Sequence, residues 1–144
     1  MKKEKWLVPV IAVGIAAVVV IFAVGGYMIY QYVFPMAAPI DCPNIESVTT
    51  MSLIQNGNIS VTVEAENFGE FLQTISNAQP TRIWSVSDYP VAKNYSIITI
   101  GTSEREYRYF VYVENSQVYI DSPYEGVYQA NQQILDLVSE HFEN

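Results

Sequence analysis

Residues 95–120 read YSIITIGTSEREYRYFVYVENSQVYI, three β-rich runs separated by two turn signals. Tyr, Ile, Val and Thr favour a pleated backbone because their planar or branched side chains pack across neighbouring strands. The runs 95–100, 106–113 and 117–120 are of strand length, and Gly101-Thr102 and Glu114-Asn115-Ser116 interrupt them. Connections this short join antiparallel neighbours, since a parallel pair needs a crossover of about a dozen residues or more. In the second run Tyr107, Tyr109, Val111 and Val113 face one way, while Phe110 and Tyr112 face the other. Both faces carry apolar bulk, so both call for cover or a partner.

Upstream, residues 45–54 and 59–63 are rich in β-branched side chains and flank Asn56-Gly57, a pair that tolerates the positive φ of a tight hairpin. The period then changes. Phe68, Phe71, Leu72 and Ile75 fall at i, i+3, i+4 and i+7, the face of a helix. Asn67 with Glu70 offers an N-terminal cap, and Pro80 ends the segment. A strand is expected at 81–86, closed by Asp88-Tyr89-Pro90. Downstream, Asp121-Ser122-Pro123-Tyr124-Glu125-Gly126-Val127-Tyr128 reads as a rigid loop leading to the N-terminus of a last helix. On that helix Ile134, Leu137, Val138, His141 and Phe142 share a face. The order β-β-α-β-β-β-β-α predicts an α+β domain over 44–144, a mainly antiparallel sheet with two helices on one face.

Residues 6–34 contain no charge, and an apolar run of that length spans a hydrocarbon core roughly 30 Å thick. Trp6 and Tyr27 fall where aromatic rings prefer to sit, at the two interfaces. The run is too long for a cleaved signal peptide's apolar region and predicts a signal anchor. Lys2, Lys3 and Lys5 precede it, and the next basic residue is Arg82. Positive-inside therefore assigns 1–5 to the cytoplasm and the rest of the chain to the outside, a single-pass protein of the cell membrane. Pro35, Pro39 and Pro43 recur every four residues, so 35–43 is expected to be a stiff, extended stalk. Cys42, the single cysteine, lies in it and is a candidate for an interchain disulfide. Ala12 and Ala16 have the spacing of a helix-pairing motif, although such spacings are common in Ala-rich spans.

The chain is half hydrophobic and only 15% charged, yet its net charge is -8. Charge is segregated: three lysines and Glu4 give +2 before residue 39, and four basic residues against fourteen acids give -10 after it. That distribution excludes a nucleic-acid binder, and one cysteine excludes a disulfide scaffold.

Devices of familiar chemistry are missing from the sequence. His141 is the single histidine, and no nucleophile elbow, phosphate-binding glycine loop or paired-histidine zinc motif occurs. Glu64 with Glu66 and Glu104 with Glu106 each share a strand face, but at strand ends, where solvated acids are ordinary. No catalytic, cofactor or metal residue is assigned. The tyrosines are the unusual feature, and Tyr107, Tyr109, Tyr112, Tyr119, Tyr124 and Tyr128, with Glu125, form the candidate interaction surface. Cross-strand tyrosine pairs also stabilise ordinary sheets, which is the plainer reading.

The run 81–90, TRIWSVSDYP, followed by PYEGVY at 123–128, resembles an uncharacterised family of small extracytoplasmic domains of Gram-positive bacteria. The resemblance covers roughly 44–143. It implies a membrane-anchored or secreted domain, sometimes attached to signalling-type membrane peptidases, and it implies no activity. The expected function is a non-catalytic interaction or sensory module, held in the bilayer by 6–34 and working through a membrane-protein partner or self-association. The alternatives are a stalked homodimer and an enzyme using carboxylates near the 124–128 loop.

Overall fold

The computed structural model describes residues 4–55 and 57–143. Lys2, Lys3 and Asn56 lie outside them, as do the side chains of Lys5 and Trp6. The chain divides into two compact units, Met1–Pro35 and Met36–Asn144.

The first unit is helix α1, Glu4–Val33. Its stretch Val8–Val33, 26 residues, is long and apolar enough to cross a membrane. Pro9 sits in the first turns, where a missing N–H costs least.

The second unit is the α+β domain. Strands β1 (Val48–Gln55) and β2 (Ile59–Thr62) form a hairpin, and α2 (Phe68–Ser76) follows a short 3-10 turn. A two-residue β3 (Gln79–Pro80) precedes the meander β4 (Ser96–Thr102), β5 (Glu106–Glu114), β6 (Gln117–Ser122) and β7 (Gly126–Ala130), and α3 (Gln133–Glu143) closes the chain. All seven strands form one antiparallel sheet in the order β2-β1-β4-β5-β6-β7-β3.

Alternation along each strand assigns the faces. Met51, Leu53, Ile98, Ile100, Tyr109, Val111, Val118, Ile120 and Tyr128 point into the core against the two later helices. Helix α2 contributes Phe68, Phe71, Leu72 and Ile75, and α3 contributes Ile134, Leu137 and Val138, the faces that the 3.6-residue period predicts. At about 25 cal/mol per Å², each such large side chain contributes about 1.5–3 kcal/mol by leaving water.

The turns explain the meander. Glu114 pairs with Gln117 around Asn115 and Ser116, both at positive φ (50° and 61°), a two-residue turn whose twist matches the strands. The β1–β2 connection is one residue longer than the expected Asn-Gly turn. Gln55 pairs with Ile59, and Gly57 takes the left-handed position at φ 73°.

Four local expectations are corrected. Asn67 does not cap α2 with its side chain; its amide instead approaches His141 Nε2 at 3.5 Å. Residues 81–86 form no strand. Thr81 and Ile83 bond one side of Val127, and the chain then leaves the sheet edge. The segment expected to be a loop before the last helix instead makes the β6–β7 turn and β7 itself. Ser122 pairs with Gly126 around Pro123, Tyr124 and Glu125, so this turn is remote from the N-terminus of α3.

The fourth correction concerns the stalk. From Met36 the chain belongs to the folded domain. Ala37 donates its N–H to Thr81 at 2.9 Å, Ile40 is buried in the core, and the Tyr109 hydroxyl donates to the Asp41 carbonyl at 2.6 Å. Arg105 forms an ion pair with Asp41. A Cβ at Gly126 would stand 2.6 Å from Ala37 Cβ, so the strap's close approach requires glycine there. Prolines suit such a strap because extended backbone with few spare N–H groups can lie along a domain without leaving donors unpaired.

Cys42 is therefore a half-buried domain residue whose thiol points at the Leu72 carbonyl, 3.7 Å away. Burial pushes its pKa up to about 11, against a smaller opposing effect of the Tyr109 hydroxyl. Little thiolate exists at pH 8, and the thiolate is the nucleophile. Iodoacetamide at pH 8 is expected to alkylate the native protein about tenfold or more slowly than the urea-unfolded chain; equal rates would contradict this placement.

Candidate binding site on the outer face of the sheet

The face of the sheet turned away from α2 and α3 carries an unusual row. Register aligns Ile54 with Ile97, Ile97 with Phe110, Phe110 with Asp121, and Asp121 with Val127. A carboxylate thus stands between a phenyl ring and a valine in the middle of an antiparallel sheet. Burial of a charge there is costly unless it is paired or protonated.

Residues 81–95 cover this row. The Thr81 N–H and hydroxyl both donate to the Val127 carbonyl, at 3.2 and 2.6 Å, and the Val127 N–H donates to Ile83 at 3.0 Å. Beyond that anchor the segment crosses the face, and the rings of Tyr89 and Tyr95 pack on Phe110 at 5.6 and 5.4 Å. Phe110 is fully buried as a result. A second tie comes from the β6–β7 turn, where Tyr124 donates its hydroxyl to Asp88 Oδ1 at 2.9 Å. Tyr124 holds φ 64°, an uncommon conformation for a bulky residue.

Between cover and sheet lies a cavity of about 180 Å³ whose lining includes Trp84, Ser85, Tyr89, Tyr112, Glu114 and Asp121. Ser85 and Asp121 are each only 6% exposed. Neither Ser85 Oγ nor Asp121 Oδ1 has a hydrogen-bond partner, which is rare for buried polar atoms. Burial pushes the Asp121 carboxyl above its ordinary value, and the nearby Ser85 hydroxyl pulls it part of the way back. Around the mouth, Ile83, Trp84, Val86, Tyr89 and Val91 are exposed, Val86 at 79% and Val91 completely.

The tyrosine set expected to form one surface is divided by the sheet. Tyr109 and Tyr128 are core residues on the helix side. Tyr107 lies on that side too, stacked on Tyr109 at 6.5 Å with the Arg105 guanidinium 4.1 Å above it. Tyr112 and Tyr119 are together on the outer face, 5.8 Å apart. Tyr124 is exposed at the turn, and Glu125 accepts a bond from the Ser122 hydroxyl at 2.8 Å. Only Tyr112 of the set lines the outer cavity.

The other candidates stand apart. His141 Nδ1 donates to the Leu137 carbonyl at 2.8 Å, and its ring meets Phe71 edge-on at 5.3 Å, a packed helix-end residue. Glu106 pairs with Arg108 at 2.9 Å, while Glu64, Glu66 and Glu104 are exposed. Among the described residues no group of three or more His, Cys, Asp or Glu is placed to hold a metal.

Ser85, Trp84 and Asp121 were not singled out by sequence reasoning. Their signal was available: Asp121 breaks a β-rich run at a position where Tyr119 and Phe110 mark an apolar face. The two stretches that carry the family resemblance are the ones that meet here, through Ile83 with Val127 and Asp88 with Tyr124.

The fold and the site define a small antiparallel domain with helices on one face and a strapped cavity on the other. Residues 36–129 match the family DUF5301, described as a domain of unknown function (DUF5300), and the chain belongs to that family. The match begins where the folded unit begins, at residue 36. The domain is also similar to an NMR structure of a protein from Ruminococcus gnavus, with 28% identity and a TM-score of 0.56, over 64% of this chain and 91% of that one. No match was found among curated proteins.

Folding raises the Asp121 pKa, so the folded state holds this proton more tightly than the unfolded chain. This contribution to stability is fully present below the unfolded carboxyl value of about 3.9 and is lost as pH rises through the folded value. Asp121→Asn is expected to raise Tm at pH 7 by a few degrees relative to wild type, with the gain vanishing below about pH 4. A difference in Tm that does not change with pH, measured by calorimetry, would contradict a buried ionisable carboxyl.

Proposed function

We propose that this chain is a membrane-anchored, extracytoplasmic and non-catalytic interaction module that docks a polypeptide partner on the strapped face of its sheet. One observation carries the reading. Trp84, Val86, Tyr89 and Val91 are all exposed on a single segment that rims a concave site. Contiguous exposed apolar groups of this kind mark interaction sites rather than ordinary surface. The anchor is α1, and Lys2, Lys3 and Lys5, before its apolar stretch, favour a cytoplasmic N-terminus with the domain outside.

The non-catalytic part of the reading is supported by dispersion. Cys42 lies against α2, His141 at the end of α3, and Asp121 on the opposite side of the sheet, so no nucleophile and base converge among them. The acid excess after residue 39 favours a basic partner and repels anionic surfaces.

A photoreactive amino acid at position 91, in the full chain expressed in its membrane, tests this directly. The expected product is one defined protein crosslinked from position 91 and absent when the probe stands at Ser139, on the exposed side of α3. Identical products from both positions, or none from position 91, would overturn the docking face.

A further inference from the structure

We propose that the cavity under residues 83–91 receives the cationic end of a basic side chain, an ammonium or guanidinium presented by a polypeptide, with the Asp121 carboxylate as its counter-charge. The inference rests on the docking face described above and names the chemistry that face recognises.

The floor of the cavity sets the charge. Asp121 and Ser85 are among its lining residues and more than nine-tenths buried, and Asp121 Oδ1 and Ser85 Oγ lie beneath its surface with no hydrogen-bond partner. An ammonium brings three donors and a positive charge, which satisfies the carboxylate and leaves a donor for the hydroxyl oxygen. Glu114 adds a second carboxylate to the lining, and no basic residue is in it.

The walls set the shape. Trp84, Tyr89 and Tyr112 present aromatic surface, and rings attract a desolvated cation while also packing its methylene stem. About 180 Å³ is small beside the ~300–1,000 Å³ of sites that enclose whole small-molecule ligands. It suits one side chain, the rest of the partner lying on the exposed rim of Val86 and Val91. A divalent ion fits less well, because calcium seeks about six to eight oxygens and this cavity offers two carboxylates in an apolar wall.

Trp84 supplies the readout. The chain has two tryptophans, so Trp6→Phe leaves Trp84 as the only one. The full chain with that change, in detergent micelles, is titrated with N-acetyl-lysine methylamide, N-acetyl-norleucine methylamide and n-butylammonium while Trp84 emission is followed. The expected result is a saturable shift with the lysine probe and binding about tenfold or more weaker for norleucine, which has the stem without the charge. Asp121→Asn is expected to weaken the lysine probe by a similar factor without lowering Tm. Equal responses to lysine and norleucine, or unchanged lysine binding in Asp121→Asn, would overturn the proposal. Tighter binding of the lysine amide than of n-butylammonium supports a polypeptide source; the reverse order would overturn that source in favour of a free amine. Silence toward every probe, together with a specific crosslink from position 91, would remove the cation pocket and leave the docking face standing.

Discussion

Antiparallel pairing of Phe110 with Asp121 sets which side of the sheet every neighbouring residue takes. Because strand side chains alternate, that register sends Tyr109, Val111 and Ile120 toward the helices and leaves Phe110, Asp121 and Val127 facing outward. A slip of β6 by one residue would turn the Asp121 carboxylate into the main core and put Ile120 on the outer face. The sheet therefore has two interiors of different character. One is mainly apolar and closed by α2 and α3; the other is small and roofed by a strand-free segment, with a carboxyl at its floor.

The roof follows from that arrangement. An outward row containing Ile97, Phe110 and Val127 cannot be left to water without loss, and α2 and α3 both lie on the other face. Residues 81–95 do so with Tyr89 and Tyr95, pinned at one end by Val127 and in the middle by Tyr124. The cover is incomplete above Asp121, and there the cavity opens among side chains that have no core to enter. Incomplete cover over two buried, unpartnered polar atoms is the feature on which the proposed binding face rests.

Much of the architecture was legible in the residues. Helix period gave α2 and α3 their buried faces, and short turn signals gave the meander and the α+β class. The misreadings have physical causes. TRIWSV has strand propensity, but β propensity describes fit to a half-buried pleat and says nothing about whether an edge is free to receive it; here the chain bonds Val127 through Thr81 and Ile83 and then leaves the edge. The run 121–128 reads as a rigid loop because Pro, Gly and two aromatics occur together in it, whereas Tyr124 accepts the left-handed position and Gly126 begins a strand. The proline-rich strap reads as a spacer since prolines preclude helix and inner strand, yet Ile40 has the side chain of a buried residue. The tyrosine cluster was visible as composition, but its division between two faces depends on register, and the approach of Ser85 to Asp121 is long-range.

The account stands on Asp121 being an ionisable carboxyl held under cover and open to a cation. Carbon-detected NMR of its side-chain carboxyl through a pH titration, with and without n-butylammonium, measures that state at the atom concerned. The account predicts titration above the ordinary aspartate value of about 3.9, moving downward when the ammonium is present. An ordinary value that the ammonium leaves unmoved would contradict it.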